Sequence, residues 1–329
     1  MQALLHAIAQ LPLPTEAGRH FHGRGGLYPG SEAWTLDAYP PVWVVTAHAP
    51  VSDADRDAVG QALTARWAEL SPGQPLNWVF QLRPARAAGQ GATAETRLMA
   101  GAVPEPHVVQ EGDARHVVHV LKGQNHGLFL DMAEGRRWLR AHVQGLVAAG
   151  RNSASADGTT ATPRPVRVLN LFAYTCGFSV AARLGGASRV VNVDMSRSAL
   201  AVGQHNHALN AVQTGVSFLA HDVFSSMGAI RRSGPYDVVV VDPPSHQKGS
   251  FVATKDYARV LRHLDEWLVP GGHALLALNA PELDSHFLLD AVAAHAPQLA
   301  FQQRLPNPAA FADGSPERAL KVLVFQHTG

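Results

Sequence analysis

Between Val166 and Leu278 the chain alternates short apolar runs with longer amphipathic stretches, and that alternation leaves few folds open. The runs are Val166 to Leu171 (VRVLNL), Arg189 to Val193 (RVVNV), Val216 to Ala220 (VSFLA), Asp237 to Val241 (DVVVV) and His273 to Leu278 (HALLAL). A strand with one wet face alternates apolar and polar residues, whereas a nearly continuous apolar run belongs to a strand buried on both faces. The stretches from Ser179 to Leu184, Ser196 to Leu209, Val223 to Arg232 and Lys255 to Leu268 read as helices that would cover those faces. The alternation then stops. Ala300 to Leu305 and Leu320 to Phe325 read as two strands with only a loop between them, an antiparallel hairpin. The expected fold class is α/β, a doubly wound, mostly parallel seven-stranded sheet with a terminal antiparallel hairpin.

Upstream the pattern differs. Residues 150–164 (GRNSASADGTTATPR) are small and polar, the composition of a linker or surface loop, and the domain boundary is expected there. Before it, Val42 to Ala47 reads as a buried strand, Asp53 to Leu70 as a helix that starts after Ser52, and Asn77 to Leu82 as a second strand. Residues 1–106 are thus expected to form a smaller N-terminal α+β module, with Ala87 to Pro106 as an irregular loop. In 107–149, Arg115 to Lys122 is expected to pair with Gly127 to Asp131, ahead of a helix from Glu134 to Val147. The main α/β domain is expected over 165–329.

Composition excludes several function classes. One cysteine, Cys176, rules out an internal disulfide and any multi-cysteine metal site, and the 18 histidines include no HExxH pair, so no metal is expected. No apolar run reaches transmembrane length and the start of the chain lacks a secretory signature, so a cytoplasmic protein without a membrane partner is expected. A formal net charge of +1 neither demands nor forbids a polyanionic partner. A local basic group does exist: Lys248, Lys255, Arg259 and Arg262, with Arg231 and Arg232 before them, form either a phosphate-contacting patch or a solvated helix face.

In a parallel sheet, ligands sit beyond the carboxyl ends of the strands, beside the point where strand order reverses. Polar residues come directly after four strands here. The first strand, which includes Asn170, runs into Phe172, Ala173, Tyr174, Thr175, Cys176 and Gly177, a turn that opens a helix and can bring backbone amides to a ligand. No GxGxxG is present, so a dinucleotide loses its main support. The second strand ends at Asp194, with Met195 and Ser196 next; an acid about 20 residues beyond the first turn can accept both ribose hydroxyl protons of an adenosine-type ligand. Asp222, with Val223, fits two roles, acceptor for an adenine amino group or helix N-cap. The fourth strand ends in Asp242-Pro243-Pro244-Ser245, where two prolines fix φ and build a rigid wall with outward carbonyls beside the acid.

Together VLNLFAYTCGFS, VVNVDMS, QHNHALN, HDVF, YDVVVVDPPS and the terminal hairpin resemble the bacterial class I methyltransferases that modify large-subunit (23S) ribosomal RNA. The resemblance extends upstream to GQNHGLFLDMAEGRRWL. It implies a Rossmann-like class I fold, S-adenosyl-L-methionine as cofactor, ribosomal RNA as partner, and Asp131 and Arg136 as further cofactor-binding residues, the arginine near the methionine carboxylate. On the acceptor side it implies Asp242, Pro243, Pro244, Ser245, His246 and Asn279, with Lys248 and Lys255 for RNA phosphates. Family members that methylate a pyrimidine carbon use a cysteine after the fifth strand. Here that stretch reads Leu278-Asn-Ala-Pro-Glu-Leu283, which resembles instead the members that methylate a ring nitrogen.

The N-terminal region resembles neither a PUA module nor a THUMP domain. HFHGRGGLYPG at 20–30, with His22, Arg24 and Tyr28, fits either a substrate-contacting loop or an ordinary turn. The competing functions are a small-molecule or protein methyltransferase, a non-catalytic RNA-binding protein with a relict cofactor fold, and, last, an oxidoreductase. An oligomer is compatible with all of them.

Overall fold

The computed structural model describes residues 1–84, 94–122, 125–152, 165–244 and 251–329. Contacts divide the chain into two units: residues 1–130 with 308–316, and residues 131–307 with 317–329. The boundary therefore falls at Leu130 and Asp131, not within 150–164. The reason lies in α3 (Ala133–Asn152). Its inner residues Leu139 and Val143, with Met132 just before it, pack with Val166, Val168 and Phe178 in one core, which fastens the helix to the second unit.

In the first unit, α1 (Gln2–Ala9), β1 (Gly18–His22), β2 (Trp34–Tyr39), β3 (Val42–Ala47), α2 (Asp53–Leu70), β4 (Asn77–Leu82) and β5 (Glu95–Ala100) form a five-stranded sheet ordered β1-β2-β3-β4-β5 with two helices. Helix α2 starts where expected because Ser52 Oγ accepts from the Asp55 amide at 3.1 Å while Asp55 accepts back from the Ser52 amide at 3.4 Å. Trp34, Leu36, Trp43, Val45, Trp78 and Phe80 face a core that also contains Leu4, Ile8, Val59 and Leu63 of the helices. Strand β5 corrects the expected loop over Ala87 to Pro106; residues 87–93 of that stretch lie outside the described residues. It is an edge strand with little burial, so it lacks the alternation by which strands are read. Pairing also differs from expectation: β6 (His107–Glu111) pairs with β7 (Ala114–Val118) across Gly112, whose φ of 60° suits glycine. Gly127 to Asp131 is not its partner strand. Leu128 and Leu130 instead pack with Tyr39, Val42, Val44 and Val79 on the second face of the five-stranded sheet.

The second unit has the expected architecture. Strands β8 (Arg167–Leu171), β9 (Arg189–Val193), β10 (Val216–Leu219), β11 (Tyr236–Val241), β12 (Leu268–Leu278), β13 (Leu299–Leu305) and β14 (Lys321–His327) are ordered β10-β9-β8-β11-β12-β14-β13, with β14 antiparallel to both neighbours. β11 shows why its run is continuous: Val238 and Val240 enter the core on the α3 side, and Val239 and Val241 the core on the other face. Burying each such valine stabilises the fold by roughly 1.5–3 kcal/mol. Helices α4 (Gly177–Leu184), α5 (Arg197–Leu209), α6 (Met227–Ser233), α7 (Ala253–Leu261), α8 (Leu264–Trp267) and α9 (Ser285–His295) complete the unit. Two expected helices differ. α6 starts at Met227 because Asp222 Oδ1 accepts the Phe224 and Ser225 amides while the hydroxyls of Ser225 and Ser226 bond back to the Asp222 carbonyl, closing a turn. The stretch read as one helix from Lys255 to Leu268 is two, α7 and α8.

Candidate active site

Strand order reverses between β8 and β11, and register sets Leu171 opposite Val241. The turn that starts at Phe172 and the Asp242-Pro243-Pro244 segment therefore leave the sheet side by side. Phe172, Tyr174 and Cys176 have φ of 57°, 47° and 63°, values that L side chains rarely adopt. Such strain persists only where surroundings over-determine it. Here Asp194 is part of that determination: its Oδ2 accepts the Tyr174 amide at 2.8 Å and its Oδ1 the Ser196 amide at 2.7 Å. A carboxylate has about four acceptor positions, so two remain for a ligand's hydroxyls. Ser196 also caps α5 by accepting from the Ala199 amide, and Met195 between them is exposed.

Gly177 opens α4. A Cβ there would lie 3.3 Å from Cδ of Arg136, so glycine lets the arginine lie against the helix start. Arg136 is buried, and its charge acts on Asp242. The Asp242 carboxyl is pushed up to about 7, first by burial, then by the neighbouring Asp131 carboxylate, with Arg136 opposing both. The residue keeps part of its surface open, so it can meet a ligand although protein surrounds most of it. Asp131, Arg136 and Asp242 thus form one electrostatic group drawn from the start of the unit and the end of β11.

Other expected residues divide. Asn170 lies inside the sheet layer, donating to Asn192 Oδ1 at 2.9 Å; Asn192 donates to Ser179 Oγ at 3.0 Å, and Ser179 meets His207 Nε2 at 2.8 Å. This buried chain ties β8, β9, α4 and α5 together, and its place is the framework beneath the turn. Ala173 and Thr175 are buried in the turn, and Val223 beneath the β10 end. Asp222 Oδ1 is committed to the turn ahead of α6, whose N-cap is Ser226, so Asp222 is a turn residue and not the expected helix N-cap. Pro243 is buried, Pro244 half-buried, and Asn279 is exposed just beyond β12. Ser245, His246 and Lys248 lie outside the described residues. Lys255 is exposed on α7. The basic group around it is partly neutralised: Arg259 bonds Asp256 at 3.0 Å with its guanidinium 3.5 Å over the Phe224 ring, and Arg231 pairs with Glu266 at 3.4 Å.

Cys176 is fully buried, its thiol is driven far above the ordinary range by burial and the Asp194 charge, and a Cβ on Gly203 would lie 2.5 Å from its sulfur. It is a packing residue. Sequence reasoning missed Phe251 and Tyr257. Tyr257 is buried, donates its hydroxyl to the Ala277 carbonyl, and feels the charge of Asp242. Phe251 packs edge-on between the Phe172 ring at 5.1 Å and the Tyr257 ring at 5.3 Å, an apolar wall beside the acid. The cue in the sequence was an aromatic at a core position, Tyr257 on α7 and Phe251 just before it, which reads as ordinary packing.

A profile of the S-adenosylmethionine-dependent methyltransferase family matches residues 18–326. Ribosomal RNA large subunit methyltransferase I of Aeromonas hydrophila is 29% identical over 274 residues, 81% of this chain and 62% of that protein, so the chain spans about three fifths of that relative's length. Among solved structures, a Streptococcus mutans protein described as a SAM-dependent methyltransferase superposes with a TM-score of 0.76 at 22% identity, over 99% of this chain and 81% of that one. The methyltransferase SMU.776, complexed with SAH, gives 0.73 at 23% identity with the same coverage. At these identities the superpositions show the fold.

Proposed function

Because the chain belongs to the S-adenosylmethionine-dependent methyltransferase family, we propose that it transfers the methyl group to a nitrogen of a base in ribosomal RNA. The observation that supports this most is the site at the switch point, where a carboxyl held near neutrality stands beside a proline wall. The residues present fit the cofactor. Asp194 offers its two open acceptor positions to the ribose hydroxyls, and Arg136, against Gly177, offers a cation to the methionine carboxylate. Met195 offers an apolar surface to the adenine, and Asp222 Oδ2 is left to accept its amino group. Once bound, S-adenosylmethionine supplies an electrophilic methyl on a sulfonium.

The chain's own residues would do the rest. Asp242 and the Pro243 carbonyl hold the acceptor's N–H groups so that the nitrogen lone pair lies in line with the methyl, a gain from orientation. A carboxyl with a pKa near 7 also suits removal of the proton that a methylated nitrogen must lose. Phe172, Phe251 and Tyr257 exclude water from that side. Nitrogen is favoured over a pyrimidine carbon because the chain has one cysteine, buried and protonated at the start of α4, and Asn279 stands beyond β12. The relatives' names point to the RNA. Mass spectrometry of nucleosides from ribosomal RNA of a strain lacking the gene and of its parent tests this: one N-methylated nucleoside is expected to disappear, and an unchanged profile would refute the RNA assignment.

A further inference from the structure

The segment around Arg24, singled out in the sequence and not used by the reaction above, ends at a polar patch in the first unit. Register sets His22 beside Thr35, Thr35 beside Thr46, and Thr46 beside Gln81, so a polar row crosses β1 to β4 on the face away from α1 and α2. Thr35, Thr46 and Gln81 are buried. Two residues along β2, Asp37 accepts two bonds from Arg19 at 2.7 and 3.0 Å, and Arg19 also meets His22 Nδ1 at 2.9 Å, with the Phe311 ring 4.3 Å from its guanidinium. His48 meets the Thr35 hydroxyl at 3.4 Å. Arg83 and His126 both reach Gln81 Oε1, at 2.9 and 3.0 Å.

Arg19 and Arg24 both act on the histidines at this end of the sheet, and among the described residues the acids that act on His22 and His48 are Asp37, taken by Arg19, and Asp313 near His22. Arg24 makes no ion pair or hydrogen bond among the described residues, and its side chain is exposed. Partial burial of its guanidinium and the Arg19 charge both press its pKa down, so a partner anion would stabilise it. His22, at about 4, and His48, at about 3, are neutral at physiological pH, each lowered chiefly by burial, and so offer ring N–H donors without adding charge.

We propose that this end of the sheet binds a backbone phosphate of the RNA substrate, with Arg24 as its principal cation and Arg19, Arg83 and the neutral imidazoles around it. Phosphate supplies the charge that Arg24 lacks and several acceptor oxygens for donors that converge. The inference rests on the RNA reading of the function, and the test separates the two.

Affinity for protein-free large-subunit ribosomal RNA is measured across a series of KCl concentrations for the parent, Arg24→Ala, Arg24→Lys and Arg189→Ala, the last an exposed arginine at the amino end of β9. Arg24→Ala is expected to weaken binding about tenfold and to lower the slope of log affinity against log salt by about one. Arg24→Lys should recover most of the slope, and Arg189→Ala should change neither quantity. Calorimetry with S-adenosylmethionine should give the parent's value for Arg24→Ala, which also shows that the variant is folded. Equal RNA affinity and slope for parent and Arg24→Ala would overturn the phosphate site while leaving the RNA reading intact. A parent that neither binds nor methylates RNA would overturn both. If inorganic phosphate binds the parent and not Arg24→Ala while RNA affinity is unchanged, the site takes a free anion, and the proposal that it holds an RNA phosphate is overturned while the RNA reading of the function stands.

Discussion

The parallel strands of the seven-stranded sheet are mostly apolar and are followed at their carboxyl ends by acids such as Asp194 and Asp242, whereas the five-stranded sheet carries Thr35, Asp37, Thr46 and Gln81 along its strands. The first arrangement comes from parallel pairing, which buries both faces and leaves the strand ends as the place for chemistry. The second comes from one sheet face that is apolar at one end only, at Tyr39, Val42, Val44 and Val79. Polar groups inside strands must then satisfy one another across the register, as Gln81 does by donating to the Val120 carbonyl at 2.8 Å while accepting from Arg83. One unit thus gathers acids beyond its strand ends, and the other sets polar groups along a sheet face.

Four changes would break or sharpen that contrast. Asp242→Ala is expected to lower methyl transfer by at least about a thousandfold while S-adenosylmethionine affinity stays within about threefold, because orientation at the reacting atom is lost and the cofactor's own contacts are kept. Radiolabelled turnover and calorimetry read the two effects, and retained turnover would move the chemistry away from the end of β11. Gln81→Leu should destabilise the protein by about 1–3 kcal/mol in denaturant titration, since it leaves the Val120 carbonyl, Arg83 and His126 short of a partner, with cofactor affinity unchanged.

Stability should also depend on pH through the reacting end of the larger sheet. A carboxyl raised from 3.8 to about 7 stays protonated in the folded protein while the unfolded chain ionises, so stability falls as pH rises from about 4 to about 7 and the loss persists above that. Asp242→Asn removes this cost. Its melting temperature should match the parent's near pH 4 and exceed it at pH 8, by the equivalent of about 1–2 kcal/mol given the carboxyl's partial exposure. A pH-independent difference would show that Asp242 does not titrate as described. The smallest effect is expected for Ser52→Ala, roughly 0.5–1 kcal/mol in thermal unfolding with full activity, because the capping box serves α2 alone.

Legibility in the sequence tracks the same contrast. Strands β8 to β12 and the acids Asp194 and Asp242 could be read because a run buried on both faces is unbroken and the residues after it turn polar. Asp222 could be read only as one of two roles, since capping and ligand binding ask for the same side chain in the same place. Strand β5 was hidden because an exposed edge strand such as ETRLMA has no apolar period. The β6 and β7 pairing was hidden because strand partners are set by turn geometry at Gly112, and two candidate partners flanked Arg115 to Val118. Tyr257 looked like core because it is core; only the fold brings its ring beside Asp242. The polar row of the first unit emerges when four registers are known together, which no local pattern encodes.

Transfer of labelled methyl from S-adenosylmethionine to protein-free large-subunit ribosomal RNA by the purified chain, with digestion and identification of the labelled nucleoside, is the most direct test. Label is expected on a base nitrogen, abolished by Asp242→Ala and unaffected by Cys176→Ala. Label on a pyrimidine carbon that depends on Cys176, or no label in RNA at all, would contradict it.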